Sequence, residues 1–127
     1  MRAILDTHVV LWAASTPERL GDSLHRIREW RCLMSAASVW ELAIKQHLGR
    51  LDLGADVRSW AARAAAELHL ERLAISDIHA SGVEGLPDVH GDPFDRMLVA
   101  QAHAEDAVLL TADRTLLGYG DRVQLVG

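Results

Sequence analysis

The sequence predicts one α/β domain, a parallel sheet covered by helices on both faces. Three observations lead there. Five short apolar runs alternate with longer stretches of helical periodicity. Runs such as Ala3-Ile4-Leu5 are apolar throughout rather than alternating, the pattern of strands buried on both faces. Strands that alternate with helices require crossover connections, hence a parallel sheet with right-handed crossovers.

Arg2 to Leu5 reads as the first strand and ends on Asp6. Thr7 is placed to cap a helix through Val9, Val10, Leu11 and Trp12, broken at Ser15-Thr16-Pro17. Asp22 is placed to cap a helix carrying Leu24, Ile27 and Trp30. Cys32 to Met34 is the second strand. Ser35 then caps a helix with Val39, Leu42 and Ala43 on one side and Trp40, Ile44 and Leu48 near the other, stopped at Gly49. After a link from Asp52, Asp56 caps an Ala-rich helix through Leu68. Leu73 to Ile75 is the third strand. Ser76-Asp77 opens a short helix ending near Gly82 or Gly85, and Leu86 to Gly91 is a loop. Asp92-Pro93 starts the next helix, a carboxylate cap followed by proline at the first helical position. Ala107 to Leu110 is the fourth strand. Leu116 and Leu117 lie in a short helix closed by Gly118 and Gly120, and Val123 to Val126 is the fifth strand.

Bulk properties narrow the class. A chain of 127 residues is expected to form a single domain over 1–127. One cysteine, Cys32, rules out an internal disulfide and argues against a cysteine-based zinc site. The seven histidines show no HExxH spacing, so a histidine zinc site of that kind is not expected. No run of about 18 apolar residues is present, so no membrane span is expected. The first strand begins at Arg2, which leaves no room for a signal peptide and makes a cytoplasmic protein the expectation. Net charge is −5, and Lys45 is the single lysine among thirteen basic residues. Such a chain binds nucleic acid only through a local basic rim or through metal ions.

The chemistry concentrates in acids. In open α/β sheets, ligands bind beyond the carboxyl ends of the strands. Asp6 follows the first strand and Asp113 the fourth, with Thr7 and Thr111 beside them. A carboxylate that ends a buried strand needs a partner. Asp95 projects from the edge of the buried face of the helix it opens, and Glu41 lies in the helix after the second strand. Each acid also has an ordinary explanation. Asp95 is favourable at a helix N-terminus, Asp113 can cap the turn after it, and Glu41 can close a capping box with Ser38 or pair with Lys45. Four carboxylates without an internal lysine partner point to a hard cation, Mg2+ or Mn2+. Two such ions can position an attacking water and stabilise a leaving oxygen on a phosphodiester. No Gly-rich phosphate loop and no GxSxG elbow is present.

The stretches Ile4 to Trp12, Ser35 to Lys45, His90 to Ala102 and Leu110 to Arg114 together resemble PIN-domain nucleases, in the family's order and across essentially the whole chain. By pattern they look like the ribonuclease toxins of VapBC-type toxin–antitoxin pairs. The resemblance implies a Rossmann-like three-layer α/β/α fold with a central five-stranded parallel sheet. It implies a Mg2+- or Mn2+-dependent endoribonuclease with catalytic acids Asp6, Glu41, Asp95 and Asp113. Asp6 and Asp95 are expected to hold the principal metal, with Asp113 completing the site or orienting a water. Glu41 is expected to ligate through water or to assist proton transfer. Asp92, before Pro93, is read as a helix cap outside the site. Arg96, Arg114, Thr7 and Thr111 are candidate RNA contacts, and Gly91 stands where many relatives carry a basic residue. Expected partners are RNA, a cognate antitoxin and a second copy of the chain, with no membrane. The dimer and an antitoxin groove are expected on the Trp40 helix and the Ala-rich helix, and an arginine of the antitoxin could enter the acidic site.

Other readings are weaker. A phosphoacceptor receiver needs a lysine after a late strand, and Lys45 is mid-helix. A catalytically silent PIN-like binding module need not keep all four acids. PIN nucleases acting on other nucleic acids, such as structured DNA, carry added arches or domains for which 127 residues leave no room.

Overall fold

A computed structural model describes residues 1–127. Five parallel strands form the sheet: β1 (Arg2–Leu5), β2 (Arg31–Ser35), β3 (Glu71–Leu73), β4 (Val108–Thr111) and β5 (Val123–Leu125). Their order is β3-β2-β1-β4-β5. The chain therefore reverses its direction of travel across the sheet between β1 and β4, and a crevice opens at their C-terminal ends.

Six α-helices cover the sheet: α1 (Thr7–Ser15), α2 (Leu24–Glu29), α3 (Ala36–His47), α4 (Val57–Leu68), α5 (Asp77–Gly82) and α6 (Pro93–Ala104). Short 3-10 segments lie at Pro17–Ser23, Val83–Gly85 and Arg114–Tyr119. Alternate residues of each strand feed two separate cores. Ala3, Leu5, Cys32, Met34 and Leu110 pack with Val9, Val10, Ile27, Ala61 and Ala65. Ile4, Leu33, Leu109 and Val123 face the other way, onto Leu98, Val99, Ala102 and Leu116. No helix is long and apolar enough to cross a membrane.

Local signals set most boundaries. Ser35 caps α3 by accepting from the Ala37 N–H at 3.0 Å, and Asp56 caps α4 through Ser59 N–H at 3.0 Å. Asp92 caps α6 by accepting from Phe94 and Asp95 N–H at 2.9 and 3.2 Å. Gly49 takes a φ of 73°, the left-handed turn that closes α3, where a side chain would be strained.

Three expectations are corrected. The third strand is Glu71–Leu73, not Leu73 to Ile75. It is an edge strand, paired to β2 alone, so charged Glu71 and Arg72 remain exposed while Leu73 and Ile75 turn onto the core. Asp22 does not cap α2: it lies in a 3-10 segment, the cap position falls on Ser23, and no side chain fills it. Ser38 forms no capping box with Glu41, because α3 begins earlier, at Ala36.

Candidate metal centre

Asp6, directly after β1, is 5% exposed. It stands at the cap position of α1, but its carboxylate makes no capping bond. Its Oδ2 instead accepts from the Thr111 hydroxyl at 2.6 Å. Burial pushes the Asp6 carboxyl up in pKa, against the Thr111 hydrogen bond and the nearby His8. Thr111 Oγ1 also accepts from the Asp113 N–H at 3.0 Å, so one threonine ties the ends of β1 and β4 together.

Thr7 plays the same part for Glu41. Its hydroxyl donates to Glu41 Oε1 at 2.7 Å and lies 2.9 Å from Ser38 Oγ. The other oxygen of Glu41 accepts from Lys45 Nζ at 2.7 Å. The acids are thus not free of lysine, contrary to expectation: the i,i+4 pair on α3 forms. Thr7 and Thr111 were expected at the RNA surface, yet they are 1% and 0% exposed. Their hydroxyls are spent on carboxylates and set their positions.

Asp95 sits in the first turn of α6, its side chain 17% exposed. Burial pushes its pKa up to about 7, and the negative charges of Asp6, Asp92, Glu41 and Asp113 add to the shift. Four acids therefore act on one point. Asp113 is different in kind. It is exposed, and its Oδ1 accepts from Thr115 Oγ1 at 2.7 Å and Thr115 N–H at 2.9 Å. Those bonds, ahead of smaller contributions from the nearby His90 and His8, hold its pKa below the usual carboxylate range.

Two arginines were expected at the substrate. Arg114 is exposed beside Asp113. Arg96 is not available in this way. Its guanidinium donates to the carbonyls of Pro87 at 2.9 Å and Val83 at 3.3 Å and to the Tyr119 hydroxyl at 3.2 Å. It fastens the 83–90 segment to α6.

Sequence reasoning missed His90. The tightest group of potential ligand atoms is His90, Asp95 and Asp113, all within 4.8 Å of one another. Asp6 and Glu41 stand outside that group. Zinc-motif spacing by itself gives the histidines no role. The missed signal is the place of His90, two residues before the cap of the helix that carries Asp95. A donor set of carboxylates around an acid with so high a pKa fits a divalent cation, whose charge would relieve the mutual repulsion.

The PIN domain family model matches residues 3–120. The chain belongs to the PIN-domain family. Within that family it is 31% identical over 116 residues to ribonuclease VapC22 of Mycobacterium tuberculosis (strain ATCC 25618 / H37Rv), covering 89% of this chain and 88% of the relative. Solved structures share the PIN fold at low identity. The VapBC2 structure from Rickettsia felis, bound to a DNA fragment from their promoter, superposes with a TM-score of 0.75 at 14% identity over 100% of both chains. DNA-bound VapBC from Salmonella typhimurium gives 0.66 at 16% identity over 98% of both.

Proposed function

We propose that this PIN-domain protein is a divalent-metal-dependent endoribonuclease and the toxin of a type II toxin–antitoxin pair. The observation that carries the reading is the grouping of His90, Asp95 and Asp113, whose potential ligand atoms all lie within 4.8 Å of one another at the strand ends where Thr111 holds the buried Asp6. The relationship to a named ribonuclease supports RNA as the substrate.

Asp95 and Asp113 would hold the cation, either Mg2+ or Mn2+. The ion supplies positive charge to a phosphodiester oxygen and activation of water when bound. The protein's own residues do the rest. Thr111 holds one oxygen of the buried Asp6 carboxylate at the end of β1. Thr7 and Lys45 hold Glu41 as a fixed negative charge. A cleft of about 250 Å3 runs beside the acids, bounded by Glu41, Lys45, Arg50 and Asp92. Arg50 lines this cleft beside Lys45 and supplies it with the exposed basic charge that an acidic protein needs to hold a phosphate backbone.

The antitoxin site lies on the neighbouring surface. Trp40, Ile44 and Leu48 repeat every four residues along α3 and are exposed. A groove of about 400 Å3 beside Trp40 is lined mostly by apolar residues, among them Met34, Val39 and Leu73. Trp40 packs edge-on against Phe94, ring centroids 4.9 Å apart, so the groove borders the acidic crevice. It suits an amphipathic helix of the antitoxin, with an arginine reaching the acids. The structures named VapBC support that partner. The Ala-rich helix α4, in contrast, turns Ala61, Ala64 and Ala65 inward and leaves Arg58, Arg63 and Glu67 outside. The homodimer we infer therefore uses the α3 surface, not α4.

The test is cleavage of single-stranded or loop RNA by the purified chain. Cleavage is expected with Mg2+ or Mn2+ and none with EDTA. Asp95→Asn should fold and lose at least about a hundredfold in rate, the scale of a lost charge-stabilising group. Full activity in Asp95→Asn defeats the assignment, and metal-independent RNA binding without cleavage favours a silent binding module.

A further inference from the structure

The nuclease reading leaves the third donor of the site without a role. That donor is an imidazole. His90 Nε2 is a buried side-chain polar atom with no hydrogen-bond partner. It faces Asp95 Oδ2 at 3.5 Å without forming a hydrogen bond. Leaving such an atom unpaired incurs its full desolvation penalty, so it calls for a partner.

The other side of the ring is held. His90 stands edge-on to Tyr119, ring centroids 5.5 Å apart. The Tyr119 hydroxyl lies 3.4 Å from His90 Nδ1, 3.4 Å from the His90 carbonyl oxygen and 3.2 Å from Arg96. A phenol has one proton and two acceptor positions. If its proton goes to the carbonyl, the two acceptor positions take an Arg96 N–H and the His90 Nδ1–H. Every group is then satisfied. That arrangement puts the ring proton on Nδ1 and leaves Nε2, 3.5 Å from Asp95 Oδ2, free to act as a donor atom in the group with Asp95 and Asp113. A cation shared by the three would give the unpartnered Nε2 its partner. An outer partner on one ring nitrogen and a metal on the other is the usual state of a ligating histidine.

We propose that His90 binds the catalytic cation directly through Nε2, completing a His–Asp–Asp donor set with Asp95 and Asp113 and biasing the site toward Mn2+ over Mg2+. The proposal rests on the metal-nuclease reading. An imidazole donor suits transition ions, whereas Mg2+ prefers oxygen alone. The three potential ligand atoms already lie within 4.8 Å of one another, so one ion could gather them by local side-chain movement. Arg96 and Tyr119 are positioning residues: one fastens the 83–90 segment, the other sets the tautomer.

The experiment is pulsed electron paramagnetic resonance on the full chain loaded with Mn2+. A directly bound imidazole gives 14N modulation of the Mn2+ echo, and carboxylates and water do not. Modulation is expected in the wild type, retained in His8→Gln and absent in His90→Gln. His90→Gln should weaken Mn2+ binding at least about tenfold. It should change Mg2+ binding by less than about twofold. Mn2+ bound in an Asp95-dependent way without nitrogen modulation overturns the ligand assignment and leaves the nuclease reading standing. Modulation that survives in His90→Gln does the same. Failure of the wild type to bind Mn2+, or binding indifferent to Asp95→Asn, overturns both.

Discussion

The two ends of α6 both hold buried polar groups, but only one end is complete. Near the C-terminal end, Gln101 is 0% exposed and His79 is 4% exposed. Ser35 donates to Gln101 Oε1 at 2.5 Å, and Gln101 Nε2 donates to the Ala74 carbonyl at 3.3 Å. His79 Nδ1 accepts from the Ser76 N–H at 3.0 Å, and Nε2 donates to Glu105 at 2.9 Å. Those partners hold Glu105 below the usual carboxylate range, the His79 hydrogen bond first. At the N-terminal end, other acids raise the pKa of the part-buried Asp95, and His90 Nε2 has no hydrogen-bond partner. A satisfied network specifies a packing arrangement. An unsatisfied one is tolerated where a ligand is meant to complete it.

The largest expected difference between the two ends is their response to pH. Asp95 has its folded pKa raised to about 7. Below pH about 4 the folded and unfolded chains both hold that proton, and it contributes nothing to the difference. From there to about 7 the unfolded chain has released it and the folded chain has not, so stability falls as pH rises. Asp6, also raised, has the same sign. Glu105 is lowered, so its contribution is lost as pH falls. In EDTA, Asp95→Asn should melt clearly above the wild type at pH 8 and level with it at pH 4. Parallel melting curves for the two across that range would erase the distinction.

The complete end should break when touched. His79→Ala removes the acceptor of the Ser76 N–H and the donor to Glu105 and opens a cavity, at a cost of about 2–4 kcal/mol in urea denaturation. Its Mn2+ affinity should stay within about twofold of wild type, because distant sites act independently. Cations should affect the other end alone. Free Mg2+ or Mn2+ at about a hundredfold over its dissociation constant should add about 2.7 kcal/mol, by preference for the folded state. The same addition to Asp95→Asn should give far less. A smaller effect sharpens the comparison. Thr111→Val removes the hydroxyl on Asp6 and should cost about 1.5 kcal/mol, as for a hydrogen bond to a charged group. Equal stability would mean that Asp6 does not depend on Thr111.

Apolar runs, caps and proline placement are local properties, and they determined the order of strands and helices, the start of α6 at Asp92-Pro93 and the four acids as candidates. The third strand escaped because an edge strand buries little, so charged Glu71 and Arg72 carry it while the apolar run beyond it serves the core. Only the tertiary structure decided which acids act on one another, since β1 and β4 lie far apart in sequence and become neighbours only in the sheet. It also decided what each polar side chain does. Thr7 and Thr111 hold carboxylates, Arg96 holds a loop, and Glu41 pairs with Lys45, because a hydrogen-bond donor goes to whichever acceptor packing brings within about 3 Å. His90 has no sequence signal of its own strength. Its meaning comes from Tyr119 on one side and Asp95 with Asp113 on the other, and sequence spacing does not encode that arrangement.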